Sequence, residues 1–226
     1  MSTTLAEPDP FPGEQGLVLT GIEWDQYVKI NDALPDRRGV RMIFIDGSLT
    51  LLTPSRGHER FSDELDSVIK AVALGRGIEW EVAGSATFRL EAKEAGVEGD
   101  RTYYFGPNAA IMAGPIDIDL TTQPPPDLAI EVEVTHPSDK AIATYARIGV
   151  PEVWRYHARR RTLAFLVLCE DGSYRPAARS RNLPLLTPED VLGQLRLADE
   201  IRVFSRWYAQ LTEWVRVTLP PRGVEG

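Results

Sequence analysis

The sequence predicts an α/β fold, a mixed sheet flanked by a few helices, and three observations predict it. "VRMIFIDGSLTLLTP", residues 40–54, holds two β-rich runs joined by Asp46-Gly47, a pair favoured in tight hairpin turns because both positions need positive φ. Phe61, Leu65, Val68, Ile69 and Val72 then recur at helical spacing. "PPPDLAIEVEVTHPSDK", residues 124–140, reads as a strand with period two. Leu128, Ile130, Val132 and Val134 share one face, while Asp127, Ala129, Glu131, Glu133 and Thr135 share the other.

The elements follow in order. Residues 1–19 read as a polar, proline-bearing arm without the basic and apolar regions of a signal peptide. Thr20 followed by Glu23 has the spacing of a capping box. Ile22, Val28, Ile30 and Leu34 beside Trp24 and Tyr27 predict a short amphipathic helix that ends before Pro35. The N-terminal hairpin comes next, then a helix over about residues 58–74 that ends near Gly75. Strands are predicted at 78–82, 86–90 and 101–105, separated by glycine-containing turns. Prolines 124–126 cannot donate to a ladder and His136-Pro137-Ser138 punctuates the far end, so the acidic strand is bounded at 127–135. A helix over 139–148 and two strands, "PEVWRYH" and "TLAFLVLC", lead on through a domain spanning residues 20–196. From Pro188 the tail is helical. Ile201, Phe204, Trp207, Tyr208, Leu211 and Trp214 form a stripe rich in aromatic residues in a C-terminal extension at 197–226, which serves as core or as a homodimer interface.

Composition is that of an ordinary globular chain, with 43% hydrophobic and 26% charged residues. A formal charge of −8 argues against a protein that coats nucleic acid nonspecifically, although "RYHARRR", residues 155–161, is a local basic cluster. One cysteine, Cys169, excludes a cysteine-cluster zinc site, and His58, His136 and His157 do not match HExxH spacing. A bound metal must therefore be held mainly by carboxylates, which favours magnesium or manganese. No apolar run approaches the roughly 20 residues of a membrane span, so no membrane partner is expected and the expected compartment is the cytoplasm.

Acids at i and i+2 on one strand face repel unless solvent, a cation or protonation relieves them. A wet edge strand is the plain reading of Glu131 and Glu133. The functional reading brings in "GVEGDRTYYFG", residues 96–106, with Glu98 and Asp100 at the head of an aromatic strand. If that strand neighbours the acidic one, Asp100 and Glu131 converge on one divalent cation, and Lys140 at the start of the next helix can reach a metal-bound water. Spacing alone carries little weight, because any acidic protein offers such triples.

At these residues the chain resembles the restriction-endonuclease-like domain family of the PD-(D/E)XK nuclease superfamily. "LLTPSRGHER", "AGSATFR", "GVEGDRTYYFG", "PPPDLAIEVEVTHPSDK", "YARIGVPEVWRY" and "DGSYRPAARSRNLPLLTPEDV" are collinear with its motifs over residues 20–196. The resemblance implies a restriction endonuclease-like fold and a DNA endonuclease dependent on magnesium, with manganese as a substitute. It also implies that Asp100, Glu131 and the Val132 carbonyl bind the metal and that Lys140 assists the attacking water. Asp127 recurs in the family too, either as a second metal ligand or as a residue at the strand's start that accepts backbone hydrogen bonds. Glu59 is implied as an outer-shell or metal-site residue.

Two positions depart from the family pattern. Gly99 stands where the family has proline, which is expected to loosen the backbone before Asp100. Glu133 stands at the superfamily's usual lysine, and Lys140 lies five residues before Tyr145 where the family has four, a difference of about 100° around a helix. The displaced lysine and the acidic balance favour a second reading, a catalytically inactive nuclease fold kept as a binding or regulatory module. The retained Asp100 and Glu131 favour the enzyme.

Overall fold

A computed structural model describes residues 14–34, 39–84, 86–115 and 117–219. In chain order the elements are β1 (Gln15–Thr20), α1 (Trp24–Ala33), β2 (Arg41–Ile45), β3 (Ser48–Thr53), α2 (Arg56–Arg76), β4 (Trp80–Gly84), β5 (Thr87–Leu90), β6 (Ala95–Glu98) and β7 (Arg101–Phe105). They continue as α3 (Pro107–Met112), β8 (Leu128–Glu133), α4 (Asp139–Ile148), β9 (Glu152–His157), β10 (Thr162–Leu168), β11 (Tyr174–Ala177), α5 (Pro188–Ile201) and α6 (Phe204–Thr218).

The strands form two sheets, the larger in the order β11-β10-β9-β8-β7-β4 and the smaller in the order β1-β3-β2-β6-β5. β8 and β9 run parallel, joined through α4, while their other neighbours are antiparallel, so the larger sheet is mixed. Leu128, Ile130, Val132 and Val134 enter a core with Phe61, Leu65 and Val68 of α2 and Trp207 and Leu211 of α6. Ala129 faces the other way, among Ala141 and Tyr145 of α4 and Ile43 and Val97 of the smaller sheet. The two-faced strand is as predicted, but its acidic face is interior. Glu131 is 7% exposed and Glu133 5%, because β8 is a central strand covered on both faces and not a wet edge. A third cluster seats Tyr27 of α1 on Phe44 of β2, their rings stacked at 4.8 Å.

The hairpin turn has the predicted positive φ at both positions, 50° at Asp46 and 66° at Gly47. Elsewhere the chain departs from its sequence reading. Of the expected arm, residues 1–13 lie outside the described residues, while Gln15–Thr20 is β1, paired with β3 from Gln15↔Thr53 to Thr20↔Ser48. Leu17 and Val18 are 54% and 51% exposed, so ladder hydrogen bonds and not burial hold this strand, and it leaves little hydrophobic signature. Thr20 is thereby used as strand, and the capping box is formed instead by Glu23 and Gln26. The second helix starts at Arg56, capped by the Ser55 hydroxyl, and runs to a left-handed Gly77, past the expected stop at Gly75.

β6, α3 and β11 are too short to have shown a period. The boundary expected after residue 196 falls inside α5, and the C-terminal stripe is largely spent within the chain. Trp207, Leu211 and Val215 are buried, and the Trp207 indole N–H donates to the Gln194 carbonyl at 2.9 Å. No described helix is long and apolar enough to cross a membrane.

Candidate active site

Asp100 and Glu131 meet where the two sheets adjoin. β7 pairs with β8 so that Arg101 faces Ile130 and Thr102 faces Ala129. One further step of that register sets Asp100 opposite Glu131, and side chains of opposed residues project to the same sheet face. Asp100 Oδ2 accepts the Val132 N–H at 2.7 Å, which fastens the two strand ends together. The N–H and carbonyl of a strand residue point to the same edge, so the Val132 carbonyl also faces this side. The pocket here is lined by Glu14, Arg41, His58, Asp100, Glu131 and His136, among others. Its free volume of about 30 Å³ is room for a water or two and not for a nucleotide base, so a large substrate must react at its mouth.

Arg41, which lines the pocket, went unnoticed in the sequence, and so did the contacts that His58 and Tyr145 make. Arg41 of β2 pairs through Nη1 with Asp100 Oδ1, and through Nη2 with Glu59 Oε1 at 3.0 Å. Glu59 thus stands behind the arginine as its second partner. His58 Nε2 lies 2.9 Å from Asp100 Oδ2. Tyr145 of α4 donates its hydroxyl to Glu131 Oε1 at 2.7 Å. Burial pushes the Glu131 carboxyl up to about 7, against the Tyr145 hydrogen bond and the Arg41 charge, which pull it down. Burial also lowers the Arg41 pKa from its ordinary value, with Glu59 and Glu131 opposing. Arg41 reaches the site across non-local strand packing, and no spacing rule would have found it, while Tyr145 entered the sequence reading only as the tyrosine from which the lysine was counted.

The other predicted residues go elsewhere. Asp127 accepts from the Phe105 N–H and the Asn108 side chain, both at 2.8 Å, so of its two readings the structure realises the hydrogen-bond acceptor at the strand's start and not the metal ligand. Lys140 donates to the hydroxyls of Ser48 at 2.7 Å and Thr50 at 3.3 Å and does not line the pocket. The position four residues before Tyr145 is Ala141, which is fully buried. The one-residue offset therefore turns the lysine toward β3. Glu133 is bound by Arg155 Nε and Nη2 at 2.8 and 2.6 Å and by the Ser138 N–H at 2.6 Å. Burial alone would raise its pKa, but these bonds hold it below the ordinary value. At the superfamily's lysine position, this chain has an anchor for the loop after β8.

Gly99 is crowded, not loose. A Cβ added there would land against the Tyr145 hydroxyl, the same group that holds Glu131. Gly99→Ala is accordingly expected to displace Tyr145 from Glu131 and to cost about 1–3 kcal/mol by overpacking, measured by urea unfolding. A Gly99→Ala protein as stable as the wild type would show that Tyr145 can yield freely.

Among the described residues, no group of three or more His, Cys, Asp or Glu side chains is arranged to hold a metal ion. Of the four lining carboxylates, Glu14 and Glu98 are taken up by hydrogen bonds to Thr135, His136, Met42 and Thr87, which leaves Asp100, Glu131 and the Val132 carbonyl as the donors expected to hold an ion. Hard oxygen donors in that small number suit magnesium, which retains several waters. Because Asp100 already carries Arg41 and His58, an ion must share its oxygens with them or displace them.

The family described as "Uma2: Putative restriction endonuclease" matches residues 24–200. Among solved structures, the chain is similar to a crystal structure described as a putative nuclease belonging to DUF820 from Anabaena variabilis ATCC 29413. The identity is 14%, the TM-score 0.50, and the match covers 76% of this chain and 98% of that one. That likeness concerns the fold. No curated protein matches.

Proposed function

Because the chain belongs to the Uma2 family, described as putative restriction endonucleases, we propose that it hydrolyses phosphodiester bonds in DNA with magnesium as its cofactor and manganese as a substitute. The observation that carries this is the convergence of Asp100, Glu131 and the Val132 backbone on one pocket at the meeting of two sheets. These three groups would hold the ion. Bound there, magnesium would supply a more acidic water and a Lewis acid for the phosphodiester oxygens. The chain's own part is positioning. Tyr145 fixes one oxygen of Glu131, while His58 and the Val132 N–H orient Asp100. Arg41, the one Lys or Arg side chain among the described lining residues, supplies the positive charge that the sequence reading assigned to Lys140.

One observation favours the inactive module instead. Arg41 already neutralises Asp100, so the site has a built-in cation and less need of another. A plasmid-nicking assay with magnesium or manganese separates the readings. The wild type should nick, Asp100→Asn should not, and Lys140→Ala should nick at the wild-type rate while losing about 1 kcal/mol of stability with its two hydroxyl contacts. No nicking by the wild type under any metal would favour the module, and a silent Lys140→Ala beside an active wild type would return the lysine to the chemistry.

A further inference from the structure

The residue before β1 carries a carboxylate into this pocket, and the groups around it form an anion site. The Glu14 side chain is 8% exposed. Its Oε2 accepts from the Thr135 N–H at 3.1 Å, the His136 N–H at 3.2 Å and the Thr135 hydroxyl at 3.2 Å. His136 Nδ1 lies 3.6 Å from the same oxygen, and His58 Nε2 lies 3.8 Å from the other. β1 comes this close because residue 16 is glycine: a Cβ there would stand 2.9 Å from His136 Nε2.

Successive backbone N–H groups with a hydroxyl and imidazoles around one oxyanion are what a phosphate oxygen requires. The location fits as well. Glu14 and His136 line the pocket of Asp100 and Glu131, while Thr135 and His136 line an open groove of about 380 Å³ with His157 and Arg159. Arg159 and Arg160 are exposed in the turn after β9, and the Arg160 N–H bonds the His157 ring at 3.3 Å. On a chain of net charge −8, this groove is lined by Arg159, His136 and His157 beside Glu133, with Glu133 itself paired to Arg155, and it shares His136 and Pro137 with the acidic pocket.

Resting on the nuclease reading, we propose that the Thr135–His136 anion site is the subsite for a substrate phosphate beside the scissile one, and that Glu14 occupies it as an internal stand-in. Nucleic acid then binds in competition with the Glu14 carboxylate, and Arg159 and Arg160 guide the backbone along the groove. Apparent affinity is reduced by the fraction of molecules in which Glu14 fills the subsite.

The test is fluorescence anisotropy of a short labelled DNA duplex in EDTA, with the full chain. Glu14→Gln keeps an acceptor oxygen but loses the charge, and should bind about tenfold tighter than the wild type. Glu170→Gln, a neutralised acid in the exposed turn after β10, controls for net charge and should change affinity far less. Arg159→Ala with Arg160→Ala should weaken binding and flatten its salt dependence. If Glu14→Gln melts early, Gly16→Ala, which crowds His136, offers a second way to open the contact and should also tighten binding. Equal affinities for wild type and Glu14→Gln, or an equal gain in Glu170→Gln, would overturn the subsite while leaving the nuclease reading standing. No binding by any of the proteins would overturn both.

Discussion

Glu131→Gln should lower magnesium-dependent cleavage of plasmid DNA by more than about a hundredfold, in a protein at least as stable as the wild type above neutral pH. The activity falls because a neutral amide replaces one of the two carboxylates proposed to hold the ion. The stability result follows from linkage. Burial raises the folded-state pKa of Glu131 to about 7, above its ordinary value near 4.5. Between those values the folded chain retains a proton that the unfolded chain has lost, so wild-type stability declines as pH rises from about 5 to 7, by an amount on the order of 3 kcal/mol. Glutamine cannot ionise, and its carbonyl oxygen still accepts the Tyr145 hydroxyl. Urea unfolding in EDTA at several pH values should therefore show the wild type declining through this window and the variant flat. Parallel curves would place the raised pKa on another group. Full cleavage by the variant would remove Glu131 from the site.

What was legible in the sequence is what periodicity and short-range geometry control. The alternation around Glu131 named both faces of β8, and Asp46-Gly47 named the hairpin turn. Asp100 and Glu131 were named by motif, and the register of β7 on β8 supplies the physical reason that both line one pocket. Contacts between distant segments stayed hidden. Arg41 lies on the smaller sheet and reaches Asp100 only because the two sheets adjoin at the pocket. Gly99 looked permissive because nothing in "GVEGDRTYYFG" reveals Tyr145 pressing on it from α4. Lys140 shows the limit most sharply. The helix was read over the bounds that it has, Asp139–Ile148, but a lysine five residues before Tyr145 instead of four is turned by about 100°, enough here to exchange the pocket for the hydroxyls of β3. β1 escaped notice for the opposite reason: its side chains are mostly exposed, and only its backbone is committed.

Arg41→Ala divides the enzyme from the inactive module most cleanly. The guanidinium pairs with Asp100, whose side chain is 4% exposed, and with the half-exposed Glu59. Removing one partner of a buried ion pair leaves the other charge uncompensated, at a cost of about 3–5 kcal/mol. Glu59 can return to solvent, but Asp100 cannot, since His58 and the Val132 N–H hold its other oxygen. In EDTA the variant should thus unfold at markedly lower urea concentration than the wild type. Magnesium then decides the matter. An ion that binds only the folded state stabilises it by RT ln(1 + [L]/Kd). If Asp100 and Glu131 form a cation site, deletion of the competing arginine improves that site, so magnesium should restore more stability to Arg41→Ala than it adds to the wild type. The gain should vanish in the Arg41→Ala, Glu131→Gln double variant, because the second carboxylate is then gone. A magnesium response equal in all three proteins, or absent from all, would mean that Arg41 is itself the site's permanent cation and that the fold keeps its paired acids for binding or structure.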